Sequence, residues 1–238
     1  MEATIHRRAT NDRPEQATPL RHLMFRALGT SCEIQYECNE RSVAAAFERA
    51  VVAWVAGFEA KYSRFRTESL VSRINAAGGR EWVEIDFETE QMLLLCDTLY
   101  FLTRGVLDPT ALPLIKLWDY RNPKPVSPDA GAVATAMRRV GWPKVRREPG
   151  RVFLPEEGMA LDFGGFGKEF AVDMVAQIAR QFGIAAALID FGHDLRSLGR
   201  PATTTSYTSG WRAIACSTSS GKTFSPPVLM QTEPRPSS

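Results

Sequence analysis

Between residues 31 and 38 apolar and polar side chains alternate without a break. Cys32, Ile34, Tyr36 and Cys38 fall on one side; Ser31, Glu33, Gln35 and Glu37 fall on the other. A period of two sends successive side chains to opposite faces, so residues 24–38 read as a half-buried antiparallel strand. Gly29 interrupts that strand and implies a bulge or a close backbone approach. The period then changes. Val43, Phe47, Val51, Trp54, Val55 and Phe58 recur at helical spacing, which predicts a helix centred near Val51. A Gly-Gly turn and a short strand, WVEID at 82–86, lead into a second long helix over 88–104. That helix turns Met92, Leu95, Leu99 and Leu102 inward.

Two prolines in GVLDPTALPLIKLW (105–118) rule out a regular helix through the whole segment. A Pro-rich loop at 122–128 precedes a third helix at 129–140, and short strands are expected at 151–154 and 159–163. Ala171, Met174, Val175, Ile178 and Phe182 mark one face of a further helix, and 186–192 reads as a buried strand. Helices and strands intermix without a strict βαβ repeat. The expected class is therefore α+β, a mixed or antiparallel sheet with packed helices. Residues 1–22 are polar and without period, so they read as disordered. From Pro201 the character changes, since Ser, Thr and Pro make up 20 of the last 38 residues. The folded body is thus expected over 23–200, with 201–238 a mostly unstructured tail.

Charge narrows the function classes. The 238 residues carry a formal net charge of +2 from well-mixed signs, which is not the footprint of a nucleic-acid binder. No stretch reaches the ~20 apolar residues of a membrane span. The first 22 residues lack the apolar core of a secretory signal, so a cytoplasmic protein is expected. Cys32, Cys38, Cys96 and Cys216 form no CxxC pair and read as buried thiols.

Three segments carry candidate chemistry. In LDFGGFGKEFAVD (161–173) three glycines and Lys168 open a helical pattern, with Asp162 just before them. Such a turn exposes backbone N–H groups to a phosphate, yet it matches neither the P-loop nor the Rossmann spacing. A plain tight turn fits equally well. Asp162 fits either a helix cap or a group that takes hydrogen bonds from a ligand. Asp108 and Thr110 sit on a Pro-stiffened loop and by themselves read as turn chemistry. His193 and Asp194 follow the buried strand with no nucleophile motif beside them.

Taken in order, the motifs say more than each alone. The Gly29-Thr30 step, YSRFRTESLVSRIN, GVLDPTALPLIKLW, LDFGGFGKEFAVD and DFGHDLRSLG resemble the FAD:protein FMN transferases of the ApbE type over roughly residues 24–200. The resemblance implies an ApbE-like, T-fold-related architecture. It also implies FAD as substrate, Mg²⁺, and a flavin-acceptor protein that receives FMN on a threonine as AMP leaves. It places Leu28 and Phe65 at the flavin, with Val106, Leu107, Asp108 and Thr110 on the loop that lines it. Asp162 falls on the flavin-contacting acid, Lys168 close to FAD, and the Gly165 backbone carbonyl near the metal.

The departures set further expectations. Leu28 stands where the family usually has methionine, Phe65 where it has tyrosine, and Glu169 and His193 where it has glycine. The family's later His-x-x-Asp-Pro-x-Thr-Gly segment and its metal-binding Asp/Thr pair have no counterpart here. Between Asp194 and Glu233 there is not one carboxylate. Mg²⁺ seeks hard oxygen ligands, so the other metal ligands are expected to be missing and transfer to be poor. The change at Pro201 is what a truncation or a shifted reading frame produces, leaving the C-terminal part missing or disordered. A flavin-binding or interaction protein without catalysis is the alternative expectation.

Overall fold

Where the sequence pattern reads as one interrupted strand over 24–38, the chain forms a hairpin. In the computed structural model, which describes residues 18–118 and 127–199, β1 (Leu20–Ala27) pairs antiparallel with β2 (Thr30–Glu37). Leu28 and Gly29 make the two-residue turn between them, both at positive φ (53° and 74°). Such turns follow the natural twist of paired strands and usually carry Asn-Gly; Leu-Gly lacks that signature. β1 starts at Leu20, so the ordered body begins inside the 1–22 segment expected to be disordered. The expected disorder at 1–17 and 201–238 lies outside the described residues, as does most of the 122–128 loop.

A second hairpin completes the larger sheet. β6 (Ala187–Phe191) and β7 (Asp194–Leu198) are joined by Gly192 and His193, again both at positive φ (66° and 77°). The Asp190 carboxylate accepts the His193 amide at 2.7 Å and ties that turn. His193 is thus a turn residue. The sheet order is β1-β2-β6-β7, antiparallel throughout. A smaller antiparallel sheet has the order β3-β5-β4, from Val83–Glu84, Arg151–Phe153 and Arg146–Glu148.

The expected helices form as α1 (Arg41–Tyr62), α3 (Phe87–Leu102), α5 (Ala130–Arg138) and α6 (Gly167–Gln181). Two short ones join them: α2 (Leu70–Ala76) and the single turn α4 (Leu112–Ile115). The inward face of β2, with Cys32, Ile34 and Tyr36 fully buried, packs with Phe47, Val51 and Val55 of α1 in one core. Ala171, Val175 and Ala179 of α6 join that core, as do Ile189 and Phe191 of β6. Cys32, Cys38 and Cys96 are buried free thiols, as expected. Burial pushes the Cys32 thiol up to about 11. Leu102 is a correction: it is 66% exposed at the last turn of α3, not inward. Among the described residues, no helix is long and apolar enough to cross a membrane.

The expected strand at 159–163 does not form. Met159 and Leu161 are fully buried, but no neighbouring strand pairs with them. Their backbone is satisfied from a distance: Asn75 donates Nδ2–H to the Leu161 carbonyl (3.0 Å) and accepts the Leu161 amide at Oδ1 (2.6 Å). Asp162 then donates its amide to the Pro109 carbonyl at 2.8 Å. An apolar run of this length reads as a strand, whereas a single side-chain amide serves as its partner.

The two hairpin turns differ in what they tolerate. An added Cβ at Gly29 meets nothing within 4 Å, but one at Gly192 lies 3.0 Å from the Thr30 Cβ and collides with its hydroxyl. Gly29→Ala is expected to destabilise by about 1 kcal/mol, the backbone term alone. Gly192→Ala should lose about 2 kcal/mol or more, because crowding adds to it. Urea unfolding of both variants checks the order; equal losses would contradict it.

Candidate functional site

The Leu28-Gly29 turn, the C-terminal end of α1 and the glycine segment before α6 enclose a cleft of about 520 Å³. Each wall has a local cause. Leu28 is held in a left-handed backbone conformation that costs a non-glycine residue roughly 1 kcal/mol or more. Its amide is fixed to α1 by Glu59, which accepts it at 3.0 Å. The turn is thereby pinned with the Leu28 side chain in the cleft lining.

The second wall is aromatic. Phe58 stacks between Trp54 (5.1 Å) and Phe170 (5.8 Å) and meets Tyr62 at 4.8 Å. Tyr62 in turn packs edge-on against Phe163, itself beside Phe166. Burial pushes the Tyr62 phenol up to about 12, so near neutral pH it keeps its proton. The Tyr62 hydroxyl lies 3.0 Å from both Glu88 and Thr89. Next to it, Lys61 bridges Asp86 (2.6 Å) and Glu88 (2.9 Å), tying the end of α1 to the start of α3. Past the helix, Phe65 stands 70% exposed at the cleft.

Asp162 forms the third wall, and the structure removes one of its two readings. The N-cap of α6 is Phe166, with no side-chain cap, so Asp162 does not cap that helix. Its Oδ1 accepts the Gly164 amide at 3.0 Å, and its Oδ2 lies 3.2 Å from Arg64 Nε. Both side chains are largely buried, Asp162 at 15% and Arg64 at 19% exposure. A carboxylate on the cleft wall with lone pairs to spare can take hydrogen bonds from a ligand.

Leu28, Phe65 and Asp162 therefore line one cleft, although the sequence separates them by up to 134 positions. The other expected site residues are not part of its lining. Lys168, in the first turn of α6, forms an ion pair with Asp194 at the start of β7. Gly165 is exposed, with nothing within 4 Å of an added Cβ. Val106 is 89% exposed, and Leu107 packs against the core. Asp108 accepts the Thr110 amide (2.8 Å) and hydroxyl (2.6 Å) at one oxygen and the Trp142 amide (3.1 Å) at the other. Fully buried Thr110 accepts the Gly141 amide at 2.7 Å. These two residues thus brace the 106–110 loop, which the Pro109 carbonyl joins to Asp162. Among the described residues no three His, Cys, Asp or Glu side chains group as a metal site.

The lining also includes Glu59, Tyr62, Arg64 and Phe163, which sequence reasoning did not single out. The dense mixing of charged and aromatic side chains in KYSRFR (61–66), directly after a periodic helix, is a signal for Tyr62 and Arg64, while nothing local sets Glu59 or Phe163 apart.

The model of the ApbE family matches this chain over residues 28–221. The fold is similar to the apo crystal structure of the Pseudomonas stutzeri flavinyl transferase ApbE. The TM-score is 0.71 at 19% identity, covering 78% of this chain and 59% of that one. The ApbE protein of Thermotoga maritima matches with a TM-score of 0.66 at 30% identity, covering 76% and 59%. In sequence, the FAD:protein FMN transferase of Treponema pallidum is 27% identical over 183 residues, 72% of this chain and 50% of that protein. One from Klebsiella pneumoniae is 29% identical over 181 residues, 73% and 51%. The chain spans about half the length of these curated relatives.

If Asn75 holds the Asp162 segment in place, Asn75→Ala leaves a buried amide and a buried carbonyl unpaired. A loss of about 2–3 kcal/mol is expected in denaturant unfolding. Amide exchange at Leu161 should rise more than at Val51, in the middle of α1. Unchanged protection at Leu161 would show that other contacts hold the segment.

Proposed function

The chain belongs to the ApbE family, and from that premise we propose that it binds FAD in the 520 Å³ cleft. The reaction we assign is the family's. A threonine hydroxyl of an acceptor protein attacks the FMN phosphorus of FAD, and the new O–P bond replaces the one to the bridging oxygen. AMP leaves with that electron pair, and the hydroxyl proton is lost. One observation carries the reading: Leu28, Phe65 and Asp162, from three distant segments, meet in a single cleft of ligand size.

In this reading Phe65 stacks on the flavin ring and Leu28 covers an apolar part of it. Asp162 takes hydrogen bonds from the ligand, and the 106–110 loop adds Val106 and Leu107, braced by Asp108 and Thr110. Lys168 stands at the N-terminal end of α6, where backbone N–H groups and the positive end of the helix dipole favour a diphosphate.

Mg²⁺ belongs to the proposed reaction, and a hard cation of this kind wants several oxygen ligands. The described residues offer the exposed Gly165 carbonyl but no group of three acidic or other ligating side chains. They do not by themselves fit the ion, and residues 195–232 add no carboxylate. This donor set favours a second reading, a flavin-binding protein of the family that no longer transfers.

Purified protein incubated with FAD, Mg²⁺ and a threonine-bearing acceptor separates the two. Lost electrostatic stabilisation of this kind typically slows a reaction ~10²–10³-fold, and transfer is expected to lag an active relative by that factor. Covalent flavin is read by mass spectrometry. Turnover near the relative's rate supports the transferase; retained FAD binding without transfer supports the binder. Lys168→Ala should weaken FAD about tenfold and riboflavin hardly at all, since a charge-assisted contact to the diphosphate is lost. Equal losses for both ligands would give Lys168 a structural role.

A further inference from the structure

Arg64 is the cationic member of the cleft lining, and its surroundings leave part of it unused. Its Nε faces Asp162 Oδ2 at 3.2 Å, and its guanidinium carbon lies 4.5 Å from the Phe65 ring centre. The ion pair and the ring contact restrain the group, so less rotamer freedom remains to be lost on binding. Its Nη1 and Nη2 donate no hydrogen bond to any described residue, while Asp162 keeps free lone pairs beside them. One end of the cleft therefore offers fixed donors next to a fixed acceptor. Leu28, Phe58, Tyr62, Phe65 and Phe163 make the rest of the lining largely apolar.

That arrangement suits a planar ring with one polar edge and one apolar edge. The flavin ring has both: an imide N–H flanked by two carbonyls at one end, and a methylated benzene ring at the other. Adenine carries nitrogens around its whole rim and would leave some unpaired against the aromatic wall. We propose that Arg64 and Asp162 together read the pyrimidine edge of the flavin. Asp162 accepts the ring N3–H, and an Arg64 Nη donates to a neighbouring carbonyl. Arg64 is then a specificity-determining residue. The inference rests on the FAD reading of the cleft and assigns the orientation of the ring within it.

The test measures binding of riboflavin, N3-methylriboflavin, FAD and AMP, by flavin fluorescence or, for AMP, calorimetry. The unaltered protein should bind N3-methylriboflavin about tenfold more weakly than riboflavin, because the methyl group removes the donor that Asp162 accepts. Arg64→Met should weaken riboflavin and FAD alike by about tenfold and leave AMP unchanged. Arg64→Lys, which keeps the charge beside Asp162 but not the planar fork, should fall between the two and serves if Arg64→Met does not fold. Equal affinity for riboflavin and its N3-methyl form overturns the proposal. So does a loss confined to FAD and AMP, which would seat adenine at this pair. A uniform loss for every ligand with a lowered Tm makes Arg64 structural and also overturns it. No FAD binding by the unaltered protein removes the flavin reading itself, and this inference with it; FAD binding indifferent to Arg64 removes only the latter.

Discussion

The hydrogen-bonded closure of Asn75 on the backbone of Leu161 is the contact on which the candidate site rests. Residues 159–163 run through the core without a neighbouring strand, and a buried backbone without partners is costly. One side-chain amide supplies a donor and an acceptor across 86 positions of sequence. The next residue is Asp162, whose own amide is held by the Pro109 carbonyl. A carboxylate between two such anchors has little freedom to drift. The same link attaches the 106–110 loop, so two of the segments assigned to the flavin are joined by a hydrogen bond.

The opposite wall is fixed by strain rather than by a surplus of contacts. Leu28 occupies a conformation better suited to glycine or asparagine, and Glu59 holds its amide there. A turn optimised for stability alone would carry Asn-Gly, but asparagine would present a polar group where the cleft has an apolar one. The sequence departs from local preference where the side chain lines the cleft.

Long helices were legible because a one-sided apolar stripe sustained over many residues fits little but a helix; α1, α3 and α6 all formed where their spacing puts them. The short α2 was not, since seven residues hold barely two turns of pattern, and its Ser69 cap shows only once the Ser72 amide is seen to meet it. The β1–β2 turn reads in sequence as a bulge or a close backbone approach, because Leu-Gly lacks the usual turn dipeptide. The missing strand at 159–163 is the clearest limit. Local pattern identifies a buried run but not what satisfies its backbone, and here the partner is a distant asparagine. Leu28, Phe65 and Asp162 were reached through the resemblance of ordered motifs, not through periodicity. The pattern in KYSRFR sets Arg64 apart only weakly, and its meaning lies in the geometry of its neighbours.

The aromatic stack behind the cleft has an optical consequence. Trp54 lies one ring behind Phe58, which itself lines the cavity. Indole emission overlaps the near-ultraviolet absorption of oxidised flavin, and excitation energy passes readily over so short a span. A flavin seated against Phe58 would therefore drain the excited state of Trp54, so that the protein dims at its own wavelength as the cavity fills. With a flavin there, the packing that shapes the cleft would also serve as an internal gauge of occupancy.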